Sequence, residues 1–313
     1  MTDREWMLPE QAPPTAAPSR VAAGHAAVEQ RVAPGSEILP RLAVFDRPLT
    51  IADVLDGAFE IVKARPRAVV FFALLFVVPI ELVGIAIDPD SYGVGASLLT
   101  DPESLFAEDS EQSAGIGNSV FLGMLQALAV PFVAAPIAKL VEGWYLGGDR
   151  SAMDCLRRVG AGAWLALLVA WVFVHLIELV AVIGVVLPLV FMALFLVTAP
   201  AIVIEGVGPI RGMRRSWRLV KRRFWPILWI GVLSAVVSGT VVAMLPLLPV
   251  ALVELTGFGG GRYVAAAATV AASLVTQPFV AGAAVLAYFD LRVRTEGLDL
   301  QLALAEEFAT DAT

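Results

Sequence analysis

Cysteine occurs once in the 313 residues, at Cys155, and histidine twice, at His25 and His175. A single thiol excludes a disulfide framework and a cysteine-based zinc site. Two histidines leave little material for metal hydrolysis or imidazole acid–base chemistry. No HExxH, GxSxG, GxxxxGK[ST] or dinucleotide fingerprint occurs. No catalytic residue, metal or cofactor is expected, and nucleic acid is not an expected partner. Charge is scarce as well: Asp, Glu, Lys and Arg make up 16% of the chain, against about 25% in soluble domains. The first ten residues contain acids and a proline but no apolar core, so no cleavable signal peptide is expected there.

What is abundant is apolar: 58% of residues are hydrophobic and the mean hydropathy is +0.79. The excess gathers in blocks long enough to cross a hydrocarbon core, which takes about 20 helical residues. The first block covers about 68–87 and the second about 120–140. Residues 163–204 are apolar almost throughout. As one helix they would measure ~63 Å, about twice the hydrocarbon thickness. That stretch must fold back, and Gly184 to Pro188 is the natural turn. Two further blocks follow, at about 226–249 and 264–288. The expected fold is all-α: a polytopic membrane bundle of about six helices over 46–302, between a disordered tail at 1–45 and a short tail at 303–313.

The two signs of charge are segregated along the chain. Cations stand before span one (Lys63, Arg65, Arg67), between spans two and three (Arg150, Arg157, Arg158) and after span six (Arg292, Arg294). The densest set lies between spans four and five: Arg211, Arg214, Arg215, Arg218, Lys221, Arg222 and Arg223. The alternate loops are cation-poor; 88–119 has none and holds seven acids from Asp88 to Glu111. Because Lys and Arg stay on the cytoplasmic side, both ends of the chain are expected inside a bacterial plasma membrane. The seven-cation segment is the candidate contact for anionic phospholipid headgroups, each cation contributing on the order of 1 kcal/mol near such a leaflet.

A three-fold repeat is expected, each unit an amphipathic interface helix followed by a transmembrane hairpin. The first helix starts at Thr50 with Asp53 three residues on, a capping-box spacing, and its apolar stripe runs Ile51, Val54, Leu55, Ala58, Phe59, Val62. The second starts at Ser151 with Asp154 in the same relation and shows Ala152, Cys155, Leu156 and Val159. The third opens Gly208-Pro209, with Ile210, Met213, Trp217 and Val220 as its stripe.

Ionisable groups within a span are costly and point first to function. They are Glu81, His175 and Glu178, with Gln126 and Gln277 as polar companions. His175 and Glu178, three apart, share a helix face. With Glu81 opposite, the cluster would bind a cation or relay protons; the plainer reading is interhelical hydrogen bonding, at about 0.6–2 kcal/mol per contact.

Three stretches carry a family resemblance: RPLTIADVLDGAF (Arg47–Phe59), APAIVIEG running on through RSWRLV to Phe224-Trp225 (from Ala199), and YFDLRVRTEGLDL (Tyr288–Leu300). Together they resemble the glycerophosphoryl diester phosphodiesterase membrane domain, a family of bacterial multi-pass proteins. The resemblance implies a membrane region that some members fuse to a soluble catalytic barrel. This chain has no room for that barrel and lacks its clustered His, Glu and Asp, so no catalytic residue carries over. In the exit stretch, Asp290, Arg292, Arg294, Glu296 and Asp299 are expected to pair with the basic interface helices. The leading expectation is a non-enzymatic scaffold or accessory protein of the envelope. Its partners would be the lipid bilayer and another membrane protein or a second copy. The alternatives are a small transporter using Glu81, His175 and Glu178, and a membrane lipid or glycerophosphodiester enzyme.

Overall fold

The computed structural model describes residues 49–88, 121–145, 148–181, 186–256 and 260–297. The expected tails (1–45 and 303–313) and nearly all of the acidic loop 88–119 lie outside the described residues. Helix α1 (Ile51–Ala64) begins at the expected capping box: the Thr50 hydroxyl accepts from the Asp53 amide at 3.2 Å, and the Asp53 carboxylate accepts from the Thr50 amide at 2.8 Å. Pro66, whose missing N–H costs nothing in a first turn, opens α2 (Pro66–Ile87). Then come α3 (Ala129–Tyr145), preceded by helical residues 121–127, and α4 (Ala152–Val159), capped by Ser151 on the Asp154 amide. Next are α5 (Ala161–Ala181), α6 (Val186–Phe195), α7 (Thr198–Glu205) and α8 (Pro209–Val220). The chain finishes with α9 (Phe224–Met244), α10 (Leu247–Thr256) and α11 (Gly261–Glu296).

Six segments are long and apolar enough to cross a membrane: 66–87, 121–144, 161–179, 187–205, 224–253 and 263–296. The fourth joins α6 to α7, and the fifth joins α9 to α10. Proline explains both joints. Pro200 offers no amide to the Leu196 carbonyl and crowds it, so the helix breaks at 196–197; Pro249 stands in the same relation to Leu245. Of the turn expected at Gly184–Pro188, residues 184 and 185 lie outside those described, and Val186, Leu187 and Pro188 are already helical in α6.

Large apolar side chains point outward along these segments: Leu248 is 71% and Leu255 84% exposed. A water-soluble fold would not leave such a surface uncovered. The interior is organised around α11, where every residue from Ala281 to Phe289 is buried. A helix enclosed on all sides needs small residues if its neighbours are to approach. Gly282 lies against the backbone of Ala58, and a Cβ there would meet Ala58 Cα at 3.4 Å. On another side Phe76, Phe132 and Trp164 bring α2, α3 and α5 together with centroid separations of 5.1–5.6 Å.

Two expectations need correction. The last span does not end near Tyr288: its helix continues to Glu296, because Asp290–Arg294 and Arg292–Glu296 are i,i+4 ion pairs along it and Gly297, at φ 62°, caps it. The expected stripe of the third short helix is divided: Val220 is buried and Met213 packs against the core, but Ile210 and Trp217 do not. In α8 the inward face is Gly212, Ser216, Leu219 and Val220, while Ile210 and Trp217 are exposed. Proximity decides this: α7 comes so close that a β-carbon on Gly212 would collide with Ile202, so the packed face is chosen for smallness.

Candidate functional site

At one end of the bundle the start of α1, the α7–α8 turn and the end of α11 converge on a polar girdle. The Leu49 amide donates to Asp290 Oδ1 at 2.8 Å, and the Leu49 carbonyl accepts from Arg294 Nη2 at 2.6 Å. Arg294 Nε in turn donates to Asp290 at 2.8 Å, closing a ring across 241 residues of sequence. Beside it Arg215 forms a fork: Nε donates to Glu205 at 2.6 Å and Nη2 lies 2.5 Å from Glu296. Glu296 also accepts from Arg292 at 3.1 Å, and the Tyr288 hydroxyl donates to Glu205 at 2.9 Å. The four ionised side chains are only 17–26% exposed. Two guanidiniums and two carboxylates balance there. Burial opposes the charge on Arg215, but the hydrogen bonds it donates to Glu205 and Glu296 outweigh it and hold its pKa above the ordinary value.

The expected pairing of the exit stretch with a basic short helix is therefore present, through Arg215 and Glu296; Asp299 lies outside the described residues. Sequence reasoning overlooked Tyr288 and Glu205, which no local spacing links. It also overlooked a second knot. Arg150 Nη1 donates to Glu142 at 2.7 Å and to the Lys139 carbonyl at 2.8 Å, and Lys139 pairs with Glu142 at 3.2 Å. The i,i+3 spacing of Lys139 and Glu142 was the available signal. Arg65 pairs with Asp149 nearby. Beneath α4 the Cys155 thiol is buried, and burial pushes its pKa up from 9.0 to about 11 against the opposing pull of Arg150.

The intramembrane polar residues separate into two pairs. Glu81, 1% exposed, accepts from Gln126 Nε2 at 3.1 Å, linking the first two spans. His175 and Glu178 sit together on α5 with Nε2 and Oε2 3.8 Å apart, longer than a hydrogen bond. His175 Nδ1 lies 2.9 Å from the Trp171 carbonyl, a contact only an N–H can satisfy. His175 and Glu178 lie on α5, whereas Glu81 lies on α2 beside Gln126, and Gln277 is half-buried on α11.

The seven-cation segment divides in the same way. Arg215 is inside the girdle, whereas Arg211, Arg214 and Arg218 are exposed along α8, and Lys221 and Arg222 are exposed beyond it; Arg223 is the N-cap of α9. Arg211, Arg214 and Arg218 line a lateral groove of about 860 Å³ whose wall includes Phe173 of α5 and Phe195 of α6.

Fold and girdle define the class: an integral membrane helical bundle held at one end by cross-linked charges. Within it, residues 175–291 match the model of a domain of unknown function (DUF7847). The match covers α8, most of α11 and the groove's lining apart from Phe173, and it carries no link to the phosphodiesterase membrane domain. No curated protein and no solved structure matches the chain.

Proposed function

We propose that the chain is a non-enzymatic scaffold or accessory protein of the bacterial plasma membrane with both ends in the cytoplasm. Three units compose it, each an amphipathic helix (α1, α4 or α8) followed by two spans. The observation that carries this reading is the girdle. Its members come from the entry of the first unit, the short helix of the third and the exit of the last span. Cations Arg215, Arg292 and Arg294 lie in it, and Lys63, Arg211, Arg214 and Arg218 lie on the short helices that adjoin it. Positive charge of this kind belongs on the cytoplasmic face. The charges satisfy one another and tie distant elements together, which suits a rigid platform for lipid headgroups, another membrane protein or a second copy. The resemblance to the phosphodiesterase membrane domain supports a role near lipid metabolism without an activity of its own.

Single cysteines placed in a Cys155→Ala background test the orientation. In intact cells a membrane-impermeant maleimide should label Asp88→Cys and spare Lys221→Cys until the cells are opened. Labelling of the Lys221 position from outside would overturn the topology. Incubating the purified protein with glycerophosphodiesters should release no product; turnover that copurifies with the chain would overturn the non-enzymatic reading.

A further inference from the structure

The arginines of α8 follow two fates. Arg215 is engaged by two carboxylates, but its neighbours Arg211, Arg214 and Arg218 form no ion pair among the described residues; the one hydrogen bond among them runs from Arg218 Nε to the Arg214 carbonyl at 3.4 Å. Their spacing, i, i+3 and i+7, puts the three guanidiniums in one row. One residue before each lies a second row, Ile210, Met213 and Trp217, which is apolar and faces the same groove. Ile210 is 55% and Trp217 43% exposed, so the helix shows an uncovered apolar line beside an uncovered cationic one. Phe173 and Phe195 also line the groove, Phe195 with its ring 6.3 Å from Trp217, as do Glu205 and Arg215, which are paired with each other.

We propose that this groove holds one anionic glycerophospholipid from the adjoining leaflet. Its phosphate sits among Arg211, Arg214 and Arg218, and its acyl chain lies against Trp217, Phe195 and Phe173. Charge complementarity selects the headgroup: guanidiniums present a fork matched to phosphate oxygens. The aromatic wall selects a lipid over a soluble anion, since a free phosphate gains nothing from apolar surface. The groove's volume is within the range of pockets that enclose a ligand, about 300–1,000 Å³. This inference rests on the reading of α8 as an interface helix and adds an occupant to it.

Native mass spectrometry of the purified full-length protein tests the proposal, after exchange into nanodiscs of phosphatidylglycerol or of phosphatidylcholine and release into mild detergent. The wild type should retain one phosphatidylglycerol per chain and no phosphatidylcholine. The double variant Arg211→Gln/Arg214→Gln should weaken retention by roughly tenfold or more, at about fivefold per cation. Trp217→Ala should weaken it without changing the headgroup preference. Arg222→Gln removes a nearby cation outside the groove and should leave retention unchanged. Among the described residues these arginines bind no other side chain, so thermal unfolding of the double variant should match the wild type. Equal retention of both lipids, equal loss in Arg222→Gln, or displacement by millimolar inorganic phosphate would each overturn the proposal. Because binding is read on isolated protein, its failure leaves the cell-labelling result standing, and the reverse also holds.

Discussion

At the girdle, polar groups occur in chains: Asp290, Arg294 and the Leu49 backbone in one, Tyr288, Glu205, Arg215, Glu296 and Arg292 in another. Within the spans fewer polar groups meet, Glu81 with Gln126 and His175 beside Glu178. The contrast follows from what surrounds each region. Along a span there is little water to compensate a missing partner, so polar residues stay few and their pairs contribute modestly. At the end of the bundle charges remain near water, and several can share partners from different helices. The rarity of the mid-span acids draws attention first, yet the elements far apart in sequence are joined at the girdle.

The largest expected effect breaks the girdle. Arg215→Ala leaves Glu205 without its cation and Glu296 with Arg292 alone; losing one partner of a mostly buried pair costs about 3 kcal/mol. Thermal unfolding in detergent should fall by several degrees. Arg215→Lys should recover only part of it, because a single ammonium cannot fork between two carboxylates. Glu81→Gln retains an acceptor for Gln126 and should cost under about 1 kcal/mol; a larger loss than in Arg215→Ala would invert the comparison. The smallest effect concerns Cys155. Its folded pKa of about 11 stands above the ordinary 9.0, so its contribution to stability is complete below pH 9. Between pH 9 and 11 the unfolded chain ionises first and that contribution is lost. Raising the pH from 7 to 9 should therefore leave native-state maleimide labelling of Cys155 near zero, while labelling of the denatured chain climbs steeply.

Much of the architecture was legible along the chain. Hydropathy located six spans because the length of a helix across lipid is a local property of about 20 residues. Thr50 with Asp53, and Ser151 with Asp154, located helix starts because a cap reaches only three residues on. The third short helix is legible only in part: Val220 and Met213 meet the core as periodicity suggests, whereas Ile210 and Trp217 are exposed because contact with Ile202 requires the face that bears Gly212. The end of the last helix was placed eight residues early because its charges look like a loop until their i,i+4 pairing is recognised. The site was legible in part. The pairing of Glu296 with a basic short helix followed from complementary charge, but the choice of Arg215 over Arg214 depends on which way α8 is turned.

By itself the sequence determined the medium, the number of crossings, the helix starts and the segregation of cations, all of them sums over neighbouring residues. Only the tertiary structure decided which helix is central, which arginines are engaged and where a groove opens. Those depend on contacts between residues such as Leu49 and Asp290, 241 positions apart, and no local pattern encodes a distance of that kind.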